Sequence, residues 1–368
     1  MIPVDGATVT EVAHAALTDQ EATVVSWTCE PIHWQAIART TGALDRYRGI
    51  ADDGRPWSAV RKVLTRPPGA AGSNWERESA IYASGMLGDL PGIRAPRCYR
   101  IDHGDGEVAL WLEEVTDTVG RWPVSRYAIA ARHLGRFNGN YLAGRPLPDR
   151  ALLRTDWLRS WVGAIESRVG TLDDPAVTDV PRVRRLLPPA LHGRVRRLHQ
   201  HRETLLAALD AQPQTFSHLD AWRTNLIAND RGPDPETVVI DWSVAGLAPA
   251  GQELAVLVTG SRTWLDVAAE DGPALEHETF AAYIEGLREG GWQGSEAAVR
   301  FAYCASAGLW AGIAMPVWLR WFADPARQEW VERKYGRPLD DAVGPLGQFL
   351  EYALDLSDEA LDTVGSVT

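Results

Sequence analysis

Lysine is nearly missing from this chain. Among 37 Lys and Arg residues only Lys62 and Lys334 are lysine. Arginine serves wherever a planar guanidinium can, so each retained ammonium, compact and differently directed, marks a place to inspect. Cysteine is scarce as well. Cys29, Cys98 and Cys304 are odd in number and far apart, and no Cys-x-x-Cys occurs. That excludes a disulfide or zinc framework and fits a reducing, cytoplasmic setting. Positive charge is in deficit: 37 basic against 49 acidic residues give −12. A nucleic-acid partner is disfavoured, because phosphate binding needs clustered positive charge. A cationic or neutral ligand is mildly favoured. The segment Met1–Leu17 holds Asp5 and Glu11 but no Lys or Arg, so it does not read as a signal peptide. Tandem repeats, low-complexity tracts and a Gly-x-Gly-x-x-Gly loop are absent too. The run Phe301–Leu319 lacks charge altogether and is long enough to span a membrane. Its small residues Ala305, Ser306, Ala307 and Gly308, with Pro316, point instead to a closely packed, kinked core helix, and no membrane partner is expected.

What is present centres on Phe216–Asp241. His218, Asp220 and Asn225 are followed by Leu226-Ile227-Ala228, a polar turn, and Val238-Val239-Ile240 ending in Asp241. The apolar runs around Asn229-Asp230-Arg231-Gly232-Pro233 predict a hairpin with Asn225 at one strand's start and Asp241 at the other's end. The residue types suit phosphoryl transfer, which needs positioning and charge neutralisation rather than covalent help. Asp220 is placed to accept the proton of an attacking hydroxyl. Asn225 and Asp241 offer hard oxygen ligands, few in number, as Mg2+ takes when phosphates and water complete its shell.

The segments Ser217–Asn225 and Ile240-Asp241-Trp242 resemble the catalytic loop and metal-binding segment of the aminoglycoside phosphotransferase and choline kinase-like family. That family usually has Gly between the His and the Asp; here it is Leu219. Protein kinases have Phe-Gly after the second Asp, where this chain has Trp242-Ser243, and the Ala-Pro-Glu signature is absent. The resemblance implies an α+β, protein-kinase-like two-lobe fold: a small strand-and-helix lobe over residues 1–116 and a larger, mainly helical lobe over 117–368.

Further site residues follow from that resemblance. Trp57–Leu64 reads as a strand whose alternation puts Lys62 on the apolar side with Val60 and Leu64. A Lys there is paired, bound to an anion, or snorkelling; the family places a nucleotide-phosphate lysine at this point. Ser73 to Glu76 fits a capping box for a helix reaching Met86, on which Glu78 is the expected partner of Lys62. Thr40–Tyr47, with Thr41 and Gly42, is either a loop covering the phosphates or an ordinary hairpin turn. Hairpin strands at 96–102 and 107–112 lead into Glu114 and Val115, whose main chain sits where the family's hinge reads a nucleobase. Tyr127–Leu142, Trp157–Val169 and Leu191–Leu209 have helical spacing. The arginine-rich run from Arg182 to Arg202 reads as a solvated helix face. Glu253 either braces the catalytic loop or is a first-turn Glu favoured by the helix dipole. Trp292–Trp330 is rich in indole, for core or for an acceptor pocket. The expected activity is transfer of phosphate from ATP or GTP, with Mg2+, to a small-molecule hydroxyl. An antibiotic of aminoglycoside, macrolide or nucleoside type is the expected acceptor, with choline or a sugar, or a pseudokinase scaffold, as the alternatives.

Overall fold

The computed structural model describes residues 2–33, 40–69 and 75–367, and the chain divides into two units. The first comprises Met1–Leu90, Arg94–Thr118 and Ile227–Ser243. It opens with α1 (Gly6–Leu17), whose first turn is capped by the Asp5 carboxylate accepting the Thr8 N–H. Strands β1 (Val24–Pro31), β2 (Thr41–Ala51) and β3 (Pro56–Thr65) follow, then α2 (Arg77–Ala83), β4 (Cys98–Gly104) and β5 (Glu107–Glu113). They form one antiparallel sheet in the order β1-β2-β3-β5-β4. Two-sided alternation sets its faces. Trp57 and Ala59 of β3, with Tyr47 and Trp111, pack against Val9, Val12 and Ala13 of α1, each large side chain stabilising by about 1.5–3 kcal/mol. Lys62 has the opposite parity and so points to the other face of the sheet.

Two expectations are corrected here. Thr41–Tyr47 is strand, not loop: Thr41 pairs with Leu64 and Tyr47 with Ala59. Gly42 belongs to an irregularity between Thr41 and Ala43, where an added Cβ would lie 2.2 Å from Thr65 Oγ1. Close approach of two strands is sufficient reason for that glycine. The helix bearing Glu78 is also shorter than expected, ending at Ala83 before Gly85, whose φ of +74° is left-handed. Ser73 of the capping box lies outside the described residues.

The second unit comprises Pro91–Ile93, Val119–Leu226 and Val244–Thr368. Its helices begin with α3 (Val124–Leu142), α4 (Trp157–Glu166), two short ones, α5 (Pro175–Thr178) and α6 (Pro181–Leu186), and α7 (Pro189–Asp210). Pro188-Pro189 separates α6 from α7, since proline cannot continue a helix. Strand β6 (Gln214–Ser217) leads into the loop that holds His218, Asp220 and Asn225. After it the hairpin of β7 (Leu226–Ala228) and β8 (Thr237–Val239) forms. Val238 bridges to Arg94, and Thr118 N–H donates to Ala228 O at 2.9 Å. Those bonds group residues 227–243 with the first unit, so a single cut after residue 116 does not describe the chain. Strand β9 (Gly246–Pro249) pairs antiparallel with β6, and α8 (Gln252–Thr263), α9 (Gly272–Glu289), α10 (Glu296–Ala307), α11 (Met315–Ala323), α12 (Gln328–Tyr335) and α13 (Leu339–Val367) complete the unit.

Helices α3 and α9 meet backbone to backbone. A Cβ on Gly135 would fall 2.2 Å from Tyr283 O, and one on Gly139 2.4 Å from Leu287 O. Glycine inside a helix costs roughly 1 kcal/mol, and here it permits an approach no other residue allows. The uncharged run is buried: α10 passes through a wider π turn at Gly308–Gly312 into α11, and 89% of its most apolar window lies inside the protein. Ser357 of α13 sits against Gly308, where a Cβ would be 2.4 Å from its Oγ.

Candidate active site

The loop that follows β6 is braced from α8. Glu253, 1% exposed, accepts the N–H of His218 at 2.6 Å and of Leu219 at 3.3 Å. Its other oxygen accepts Asn138 Nδ2–H at 3.1 Å. Asn138 also donates to Phe216 O at 3.0 Å and accepts the Tyr283 hydroxyl at 2.7 Å. Burial pushes the Glu253 carboxyl up to about 7, against the pull of these three donors. Leu219 has φ +68°, the left-handed region that glycine enters freely and a leucine does not. Its full burial and the grip of Glu253 hold it there.

Asp220 follows. Its Oδ2 accepts Asn225 Nδ2–H at 2.8 Å, and its carbonyl accepts the same amide at 2.9 Å. Its Oδ1 accepts the Trp222 indole N–H. Two side chains thus orient the carboxylate. The Asn225 amide nitrogen is thus engaged by Asp220, through the carbonyl and the carboxylate of that residue.

In the first unit, Lys62 Nζ lies 2.7 Å from Glu78 Oε2 and 3.0 Å from Asp241 Oδ1. Lys62 is 9% exposed and Glu78 1%. Burial works against the ammonium, but Glu78 and Asp241 outweigh it and hold Lys62 protonated, its pKa raised. Asp241 itself has φ +62°, a conformation Asp tolerates better than most residues, and Trp242 Nε1–H donates to Val239 O at 2.8 Å across that turn. Glu114 and Val115 directly follow β5. The Glu114 side chain is tied to Arg46 at 2.7 Å and Arg48 at 2.6 Å on β2.

The model of a family described as "Phosphotransferase enzyme family" matches residues 94–294, more than half of the chain. The chain belongs to that family. No curated protein matches the sequence. Among solved structures, a microcompartment-associated aminopropanol kinase is similar with a TM-score of 0.52 at 12% identity, covering 98% of this chain and 99% of that one. That likeness shows the fold, an antiparallel sheet unit and a helical unit of the kinase kind. A spectinomycin phosphotransferase, solved with ADP and spectinomycin, aligns at 13% identity and a TM-score of 0.49, covering 94% of this chain and 100% of that one. An aminoglycoside phosphotransferase from Streptomyces rimosus aligns at 16% identity and 0.42, covering 85% and 99%.

For a phosphotransferase, the sequence left two important residues unflagged. Asn138 occupies the buried stripe of α3 with Tyr127, Ala131, Leu134 and Tyr141; a single amide among apolar residues at helical spacing was the available signal. Trp222 gave none, since an indole two residues beyond Asp220 reads equally well as core.

Proposed function

We propose that this phosphotransferase moves the terminal phosphoryl group of ATP or GTP to a hydroxyl of a small molecule. The observation that carries this is the Asp220 carboxylate, oriented by Asn225 and Trp222 on a loop braced by Glu253. Asp220 takes the proton as the acceptor oxygen forms its bond to the γ-phosphorus and the bond to the departing nucleoside diphosphate breaks. Lys62, aimed by Glu78, binds nucleotide phosphate oxygens, and the peptide groups of Glu114 and Val115 read the base edge. Mg2+ is the ion such chemistry takes: the Asp241 carboxylate would offer it one hard oxygen, and the Asn225 Oδ1, whose amide nitrogen donates to Asp220, would offer another. When bound, the ion would neutralise charge on the nucleotide phosphates. The acceptor is an antibiotic-like hydroxyl compound, and the enzyme protects its host by inactivating it.

The test is a product screen by mass spectrometry. Aminoglycosides, macrolides, nucleoside antibiotics, choline and simple sugars are offered with ATP and with GTP. A gain of one phosphate on an antibiotic supports the proposal. Turnover confined to choline or a primary-metabolism sugar rejects the resistance role and keeps the kinase; no phosphorylated product from any hydroxyl rejects both.

A further inference from the structure

Lys334 is the second of the two lysines, and the phosphate-transfer machinery does not use it. It lies near the end of α12, its Nζ 4.5 Å from the centre of the Trp264 ring. Trp264, just past α8, stacks on Trp222 with centroids 5.9 Å apart and 29° between planes. Trp222 is the residue whose indole N–H binds Asp220. Tyr335 lies 5.9 Å from Trp264, and Trp310 meets Trp222 edge-on at 4.8 Å. An aromatic surface therefore runs from the catalytic carboxylate to the lysine within one unit. Trp222, Trp264, Lys334 and Asp266 are all only half-buried, so a ligand can reach them.

The charges along this surface are unequal. Asp266 is the carboxylate that faces Lys334, and it faces Arg223 and Arg121 as well. Burial lowers the pKa of Lys334 despite Asp266, as expected of a cation short of compensating anion. Leu265, between Trp264 and Asp266, has φ +57°. A leucine persists in that strained conformation only where its surroundings over-determine it, and such strain gathers at functional sites.

We propose that Trp222, Trp264 and Lys334 form the acceptor subsite, and that it takes a hydroxyl compound with a flat apolar ring and an acidic group. The ring packs beside the half-buried indole edges and the acid meets the ammonium. A polycation is disfavoured: the Trp264 face that would attract a ligand cation already carries Lys334, and Arg121, Arg223 and Lys334 all act on Asp266. The inference rests on the phosphotransferase proposed above and narrows its acceptor.

Calorimetry with indole-3-lactate, its methyl ester and streptomycin tests it on the wild type, Lys334→Gln and Lys334→Arg. The acid binds the wild type at least about tenfold more tightly than either other probe, Lys334→Gln erases that margin, and Lys334→Arg keeps most of it. Tighter binding of streptomycin, a margin that survives in Lys334→Gln, or no heat from the acid up to about 10 mM overturns the subsite. The same preparations are assayed for phosphate transfer from ATP and GTP. Binding as expected with no transfer to any hydroxyl refutes the phosphotransferase and leaves the subsite; transfer to streptomycin alone refutes the subsite and leaves the phosphotransferase.

Discussion

Replacing Glu253 by Gln separates what the buried carboxyl does by charge from what it does by hydrogen bonding. The Gln oxygen can keep the His218 and Leu219 N–H groups. Its NH2 then meets Asn138 Nδ2–H, donor against donor. Asn138 cannot flip in relief, because its oxygen accepts from Tyr283 and its nitrogen donates to Phe216 O. One mismatched buried donor costs about 1–3 kcal/mol. The charge contributes with the opposite sign. A folded pKa of about 7, above the ordinary 4.5, means the folded state holds this proton more tightly than the unfolded state. The group's stabilisation is therefore complete below pH 4.5 and lost as pH rises through 7, a change of about 3 kcal/mol. Glutamine does not titrate. Urea unfolding followed by tryptophan fluorescence from pH 5 to 8 should show wild type ahead at pH 5, with the two proteins converging or reversing by pH 8. A gap that stays constant, or widens with pH, refutes both the buried-proton account and its sign.

Other outcomes follow from the same geometry. Lys62→Arg keeps the charge but places a larger, planar group between carboxylates at 2.7 and 3.0 Å; nucleotide kcat/KM should fall at least about tenfold, and unchanged kinetics would return Lys62 to a packing role. Trp222→Phe removes the N–H on Asp220 and keeps an aromatic ring, so steady-state kinetics should show kcat lower by roughly tenfold with nucleotide KM little changed; a loss confined to KM contradicts the positioning role. Asp241→Ala should abolish metal-dependent nucleotide binding in calorimetry, and a nucleotide complex that keeps its metal without Asp241 and Asn225 rejects them as ligands.

Much of this was legible in the sequence because local rules decide it. The β7–β8 hairpin, the strand bearing Lys62 and the long helices all carry their own periodicity and turn residues. The partner of Lys62 was legible only through resemblance, since no local rule links residues 62 and 78. Thr41 and Gly42 read as loop because a glycine at a strand irregularity and a glycine in a turn look alike in sequence; pairing with Leu64 and the contact with Thr65 show the strand. Leu219 stood out as a departure from the family's Gly, and its φ of +68° shows what that Gly would relieve. The Asn138–Glu253–Tyr283 network joins residues more than a hundred positions apart, beyond the reach of any spacing rule.

Asp220 carries the proposed chemistry. Single-turnover phosphate transfer to an acceptor found by the product screen, measured for wild type and Asp220→Asn beside nucleotide affinity, addresses it directly. Asparagine preserves the size of the side chain and an oxygen for the Trp222 N–H but cannot take the proton. Transfer should slow by about a hundred- to ten-thousand-fold while nucleotide binding is unchanged; a near-wild-type rate would contradict the assignment of Asp220 as the group that receives the hydroxyl proton.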